Sequence, residues 1–177
     1  MGLFAAAILT LTTSCAGLHA TATAPIKALL VNKKVAVFPF EDPYYKGRQL
    51  SGIGSPFASV FTNQLSIHGV SAAMVKNDEF DSRSKIDLGN ACEYARQNNF
   101  DYFITGVVTE WIDGATQWSG TVDVAALSVE VYQSDSCDLV GSASGREKGR
   151  WFTFVNAPTT RFYQPLSEQI VAKLLNK

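Results

Sequence analysis

The residues of this chain that could carry chemistry are few, and their spacing does not suit catalysis. A Ser-His-Asp or Cys-His arrangement needs a histidine to shuttle the proton, and the sequence has two, His19 and His68. His19 lies in a stretch of small and polar residues. His68 stands before Gly69, at the expected end of a helix, where the helix dipole favours histidine. The run Gly52-Ile53-Gly54-Ser55-Pro56 places glycines ahead of a helix. It lacks the Gly-Lys-Ser/Thr that brings a lysine to a phosphate. A helix N-terminus can still take an anion, but a tight loop is the simpler reading. Asp78, Glu79 and Asp81 lack the spacing of a calcium loop, and Cys92 with Cys137 are too few for structural zinc. No catalytic residue, metal or cofactor is expected.

Recognition is better served. Tyr44-Tyr45-Lys46-Gly47-Arg48 sets two tyrosines beside two cations in a polar loop. Amphipathic rings and Arg suit protein or glycan contact. Trp111, Trp118 and Trp151 are expected to extend this surface, since two of them flank the 112–120 loop. The competing reading is that these aromatics cover a sheet edge. The chain has 177 residues, is 46% hydrophobic and 18% charged, and has a formal net charge of -1. Those values fit one globular unit. They supply no global field to attract nucleic acid.

The elements that must position these residues centre on residues 99–111, Asn-Phe-Asp-Tyr-Phe-Ile-Thr-Gly-Val-Val-Thr-Glu-Trp. This aromatic and β-branched run predicts a strand buried on both faces, with Gly106 marking a bulge or a close backbone approach. Upstream, Val35-Ala36-Val37-Phe38 predicts a strand ending near Pro39. Ser55-Pro56 starts a helix whose apolar face is Phe57, Val60, Phe61 and Leu65, and Gly69 closes it. Strand 70–75 and helix 88–98, capped by Asp87, lead into the central strand. Strands 121–133 and 139–144 follow, with a turn at 134–138 between them. Residues 145–149 read as a glycine- and charge-rich segment, residues 151–155 as a further piece of sheet, and 160–175 as the closing helix. The order βαβαβββα predicts an α/β (α+β) sandwich, a mixed sheet of about five strands with helices packed on it.

Residues 1–14 carry no charge and an apolar run about half as long as the roughly 20 residues a membrane-spanning helix needs. They suit a secretory h-region. With Cys15-Ala16-Gly17 next, the segment resembles the lipobox of bacterial lipoproteins, although Thr12 stands where leucine is usual. The resemblance implies a signal peptide over 1–14, lipid on Cys15, a tether over 15–32 and a periplasmic domain over 33–177. Ala16, rather than Asp, implies the outer membrane. Ordinary secretion with cleavage after Ala20, Ala22 or Ala24, and a buried N-terminal segment, are the alternatives. With Cys15 lipidated, Cys92 and Cys137 form an even pair in an oxidising compartment. Antiparallel pairing of the later strands would bring the 134–138 turn to the helix holding Cys92. A disulfide is then geometrically allowed; two separate small hydrophobes are the alternative.

Val35-Ala36-Val37-Phe38-Pro39-Phe40-Glu41, a glycine-containing loop into a helix, and Asp101-Tyr102-Phe103-Ile104-Thr105-Gly106 resemble a group of envelope lipoprotein domains. The group includes the curli-secretion lipoprotein CsgG, the penicillin-binding-protein activator LpoB and the amino-terminal domain of TolB, together with proteobacterial lipoproteins sharing this core. The resemblance spans about residues 34–145. It implies a non-catalytic outer-membrane lipoprotein, lipid-anchored and facing the periplasm, that binds an envelope partner protein or assembles with itself. A periplasmic small-ligand or glycan carrier is the second expectation.

Overall fold

A computed structural model of the chain describes residues 26–76, 80, 82–113, 122–149 and 159–175. Its core is a five-stranded mixed sheet in the order β4-β1-β5-β6-β7. Strands β1 (Lys34–Val37), β4 (Ser71–Met74) and β5 (Tyr102–Ile112) run parallel, and β6 (Val124–Gln133) and β7 (Leu139–Lys148) complete the sheet antiparallel. Helices α2 (Gly54–Ile67), α3 (Leu88–Gln97) and α4 (Tyr163–Leu175) follow the expected order, with a 3₁₀ turn (Thr159–Phe162) ahead of α4. A two-stranded ribbon, β2 (Tyr44–Tyr45) with β3 (Arg48–Gln49), stands apart from the main sheet.

The two faces of the sheet are covered unequally. α2 and α4 bury Phe57, Phe61, Leu65, Leu166, Ile170 and Leu174 against Val35, Val37, Ile104, Leu127 and Val129. The opposite face carries a smaller cluster, in which α3 buries Ala91, Cys92 and Ala95 and packs Tyr94 against Ala36, Phe38, Phe103 and Tyr132. Rings compensate for these short side chains. Phe38 meets Phe80, Tyr94 and Phe103 edge-on, and Phe103 stacks on Tyr132 with centroids 5.1 Å apart.

The local signals act where the physics places them. Asp87 caps α3, its carboxylate accepting the Asn90 N–H at 2.9 Å. Gly69, at φ +83°, ends α2. Gly106 marks a close approach, since a Cβ there would lie 2.7 Å from the Phe40 ring. The bulge falls instead between Val108 and Glu110.

Three expectations change. The helix α1 (Lys27–Leu30) buries Ile26 and Leu30 in the core, and the Ile26 N–H donates to the Leu174 carbonyl at 3.3 Å. Packed chain therefore begins upstream of residue 33, inside the segment expected to be tether. The loop ahead of α2 contains the β2–β3 ribbon. Strand β7 continues through Gly145 to Lys148, because two contacts support that stretch. Gly145 lets Leu166 and Ile170 close on the sheet, where a Cβ would sit 2.8 Å from Leu166. Arg146 grips Glu110 across β6, Nε to Oε2 at 2.6 Å and Nη2 to Oε1 at 2.9 Å. Residues 151–155 lie outside the described residues.

Cys92 and Cys137 are bonded, with their Cα atoms 5.8 Å apart. The bond ties α3 to the β6–β7 turn, the juxtaposition that antiparallel pairing of β5, β6 and β7 requires.

Candidate functional site

The site is built at the C-terminal end of β1. From there the chain passes through α2 to β4 on one side, and later through α3 to β5 on the other. In open α/β sheets this switch point leaves a crevice between diverging connections, where ligands commonly bind. Residues 41–53 fill it.

Asp42 anchors the segment. It is 1% exposed, and its carboxylate accepts the N–H groups of Gly52 (3.0 Å), Ile53 (2.8 Å) and Gly54 (2.7 Å) and the Ser82 hydroxyl (3.3 Å). The three N–H groups are main-chain donors at and just before the start of α2, which the helix itself leaves unpaired, and Ile53 at the N-cap offers no side-chain acceptor. The anion position at this helix end is therefore occupied by the chain's own carboxylate. A Cβ at Gly54 would overlap the Phe40 carbonyl, so glycine is what lets α2 begin so close to the end of β1.

On this base stands the ribbon. Lys46 (φ +49°) and Gly47 (φ +77°) form the two-residue turn whose twist suits a tight hairpin. The Leu50 N–H donates to the Pro43 carbonyl at 2.8 Å, and Gln49 Nε2 donates to the Arg83 carbonyl at 2.8 Å. Tyr44 and Tyr45 are 62% and 40% exposed. Lys46 Nζ lies 5.2 Å from the centre of the Tyr45 ring, and Arg48 is exposed on β3. The structure thus brings Tyr44, Tyr45, Lys46 and Arg48 together on one anchored finger.

Trp111 does not join them. It is buried, set edge-on to Phe57 at 5.9 Å and stacked on Tyr163 at 5.6 Å. Its position on β5 turns the indole beneath α2 and α4, so it is a core residue and not part of a surface. Trp118, Trp151 and Cys15 lie outside the described residues. His68 sits at the C-terminal cap of α2, its N–H donating to the Gln64 and Leu65 carbonyls. Among the described residues no group of three or more His, Cys, Asp or Glu side chains could hold a metal ion.

Sequence reasoning missed Asp42. Its signal was indirect: the α2 start has neither an acceptor side chain at Ile53 nor an acidic first turn, so the cap had to come from elsewhere.

Several charges on and beside the sheet are paired. The hydrogen-bonded Arg146 guanidinium holds Glu110 below the ordinary glutamate range. The Lys34 N–H and then Lys33 hold Asp101 low. Burial and the Glu130 carboxylate, which accepts the Tyr132 hydroxyl at 2.6 Å, push Tyr132 well above the usual phenol value.

No protein-family model and no curated protein matches the chain by sequence. Solved structures do match. The PelC dodecamer from Paraburkholderia phytofirmans is similar at TM-score 0.67 and 19% identity, over 90% of this chain and 98% of that one. Lipoprotein GNA1162 from Neisseria meningitidis aligns at TM-score 0.50 and 16% identity, over 82% and 99%. The LpoB C-terminal domain from Salmonella enterica gives 0.45 and 12% identity over 64% and 81%, too distant to carry weight. The chain therefore shares a fold found among bacterial lipoproteins.

Proposed function

We propose that this chain is a non-catalytic, lipid-anchored protein of the bacterial outer membrane that acts from the periplasmic side by assembling with copies of itself. One observation carries the reading: nearly the whole chain superposes on nearly the whole of a protein whose solved structure is a dodecamer. The lipobox-like run ending at Cys15 supports the anchor, and lipidation there would leave residues 15–177 as the exported part. No helix among the described residues is long and apolar enough to cross a membrane. The lipid would then supply the hold, which takes more than one acyl chain to be stable.

A second reading, docking of an envelope partner, is favoured by the ribbon. Two exposed tyrosines and two cations on a finger fixed by Asp42 are preorganised for contact, so little ordering entropy would be lost on binding.

Crosslinking in intact cells, read by mass spectrometry on the full-length chain, separates the two. Self-crosslinks predominating supports assembly. One predominant foreign protein, linked through Lys46, overturns it in favour of docking.

A further inference from the structure

We propose that a second copy of this chain docks on the flank formed by the free edge of β4 and the solvent face of α2. The inference rests on the self-assembly reading and names the surface that assembly uses. β4 ends the sheet, and among the described residues only β1 pairs with it. The Val75 N–H donates to the Val37 carbonyl at 2.9 Å. By the alternation of a parallel ladder, the main-chain groups of Ala72 and Met74 then point away from β1. The Ala72 N–H is taken by the Val70 carbonyl at 2.9 Å. The Met74 N–H and the carbonyls of both residues remain on the outer side, and the side chains of Ser71 and Ala73 are exposed.

Free edges in natural proteins are guarded by charge, proline or bulges, because an open edge templates association. The opposite edge is guarded here. β7 carries Arg146, Glu147 and Lys148, has a register shift against β6, and has its Ser144 carbonyl covered by Lys173 Nζ at 3.3 Å. β4 has none of these devices. Residues 49–75 contain no Asp, Glu, Lys or Arg, in a chain that is 18% charged. The exposed positions of α2 include Pro56, Ser59, Asn63, Ser66 and Ile67, the last 67% exposed. Interface cores are depleted of charge in this way.

The occupant follows from the same features. A strand edge is satisfied by another strand. An uncharged flank offers no field to steer a charged foreign partner, yet it can face copies of this chain without like-charge repulsion. The cationic ribbon lies at the C-terminal end of β1, outside this flank, so a partner selected by charge would be drawn there.

The test uses the full-length chain in detergent, with mass measured by sedimentation. Ala73→Lys and Ser71→Glu place opposite charges on exposed β4 positions, and Asn90→Lys on the exposed side of α3 is the control. Thermal unfolding of each variant checks that the fold is kept. The inference predicts a wild-type oligomer, with both β4 variants weakened by about 100-fold or more, as a buried unpaired charge requires, and an unchanged control. Persistence of the oligomer in both β4 variants overturns this surface and leaves self-assembly standing. A wild-type chain that sediments as a single copy overturns both.

Discussion

Reduction of the Cys92–Cys137 bond should destabilise the domain substantially, because it is the covalent tie between α3 and the β6–β7 turn. The bond closes a loop with a sequence separation of 45. For a loop of that size, lost chain entropy in the unfolded state gives about 4 kcal/mol at 25 °C, within a usual range of roughly 2–4 kcal/mol. On the native side α3 is otherwise held by small buried side chains and by Tyr94, which meets Phe38 and Phe80 edge-on. The buried side chains of α3 are Ala91, Cys92 and Ala95, and two alanines bury far less apolar area than the leucines and phenylalanines under α2 and α4. For a domain of this size each kcal/mol moves Tm by about 2–4 °C, so the expected fall is roughly 10 °C. The assay is thermal unfolding by circular dichroism of the oxidised chain and of the same chain after reduction. The reduced wild type isolates the crosslink, because Cys92→Ala would also remove a buried sulfur. Coincident transitions, with free thiols shown by titration, would refute the reasoning. So would two free thiols, beyond Cys15, in protein taken from an oxidising compartment.

Four further outcomes follow from the structure. Asp42→Ala removes the acceptor of three main-chain donors, the bond from Gly54 being buried and those from Gly52 and Ile53 half-buried, and urea denaturation should show a loss of roughly 1–3 kcal/mol; a change under about 0.5 kcal/mol would contradict the capping role. Gly54→Ala forces a methyl onto the Phe40 carbonyl, and the same measurement should show at least about 2 kcal/mol lost, against a neutral result if α2 can shift. Because the Glu110 carboxyl titrates low in the folded state, its contribution is present above the unfolded value, about 4.3, and is lost as pH falls through the folded one. Wild type should therefore exceed Glu110→Gln in stability at neutral pH and lose that advantage in acid, and parallel acid curves would sink the assignment. Cys15→Ser should move the chain from the membrane fraction to the soluble periplasm, and unchanged fractionation would remove the lipid anchor from the account.

Much of the architecture was legible because periodicity and punctuation agree along the chain. Gly69, Asp87 and Pro39 each marked an element end through its own backbone or capping chemistry, and the aromatic run over 102–108 could only be a strand covered on both faces. What was not legible depends on contacts distant in sequence. The charged end of β7 reads as a loop until Arg146 is seen to reach Glu110 across Ala126, which is 8% exposed. Ile26 and Leu30 read as tether because their partners, Gly141 and Leu174 among them, lie more than a hundred residues away. At the candidate site the ribbon residues were identifiable by type, but Asp42 was not, since a cap supplied from ten to twelve residues upstream leaves no local pattern. Trp111 misled for a simple reason: indole is equally at home on an interface and in a core, and only its place between Phe57 and Tyr163 decides.

The most direct test of the central claim is the mass of the full-length chain extracted from membranes in mild detergent, measured by light scattering or sedimentation. The account predicts one discrete species containing many copies of the 19.2 kDa chain, less any cleaved signal. A species of one copy across the accessible concentration range would contradict it.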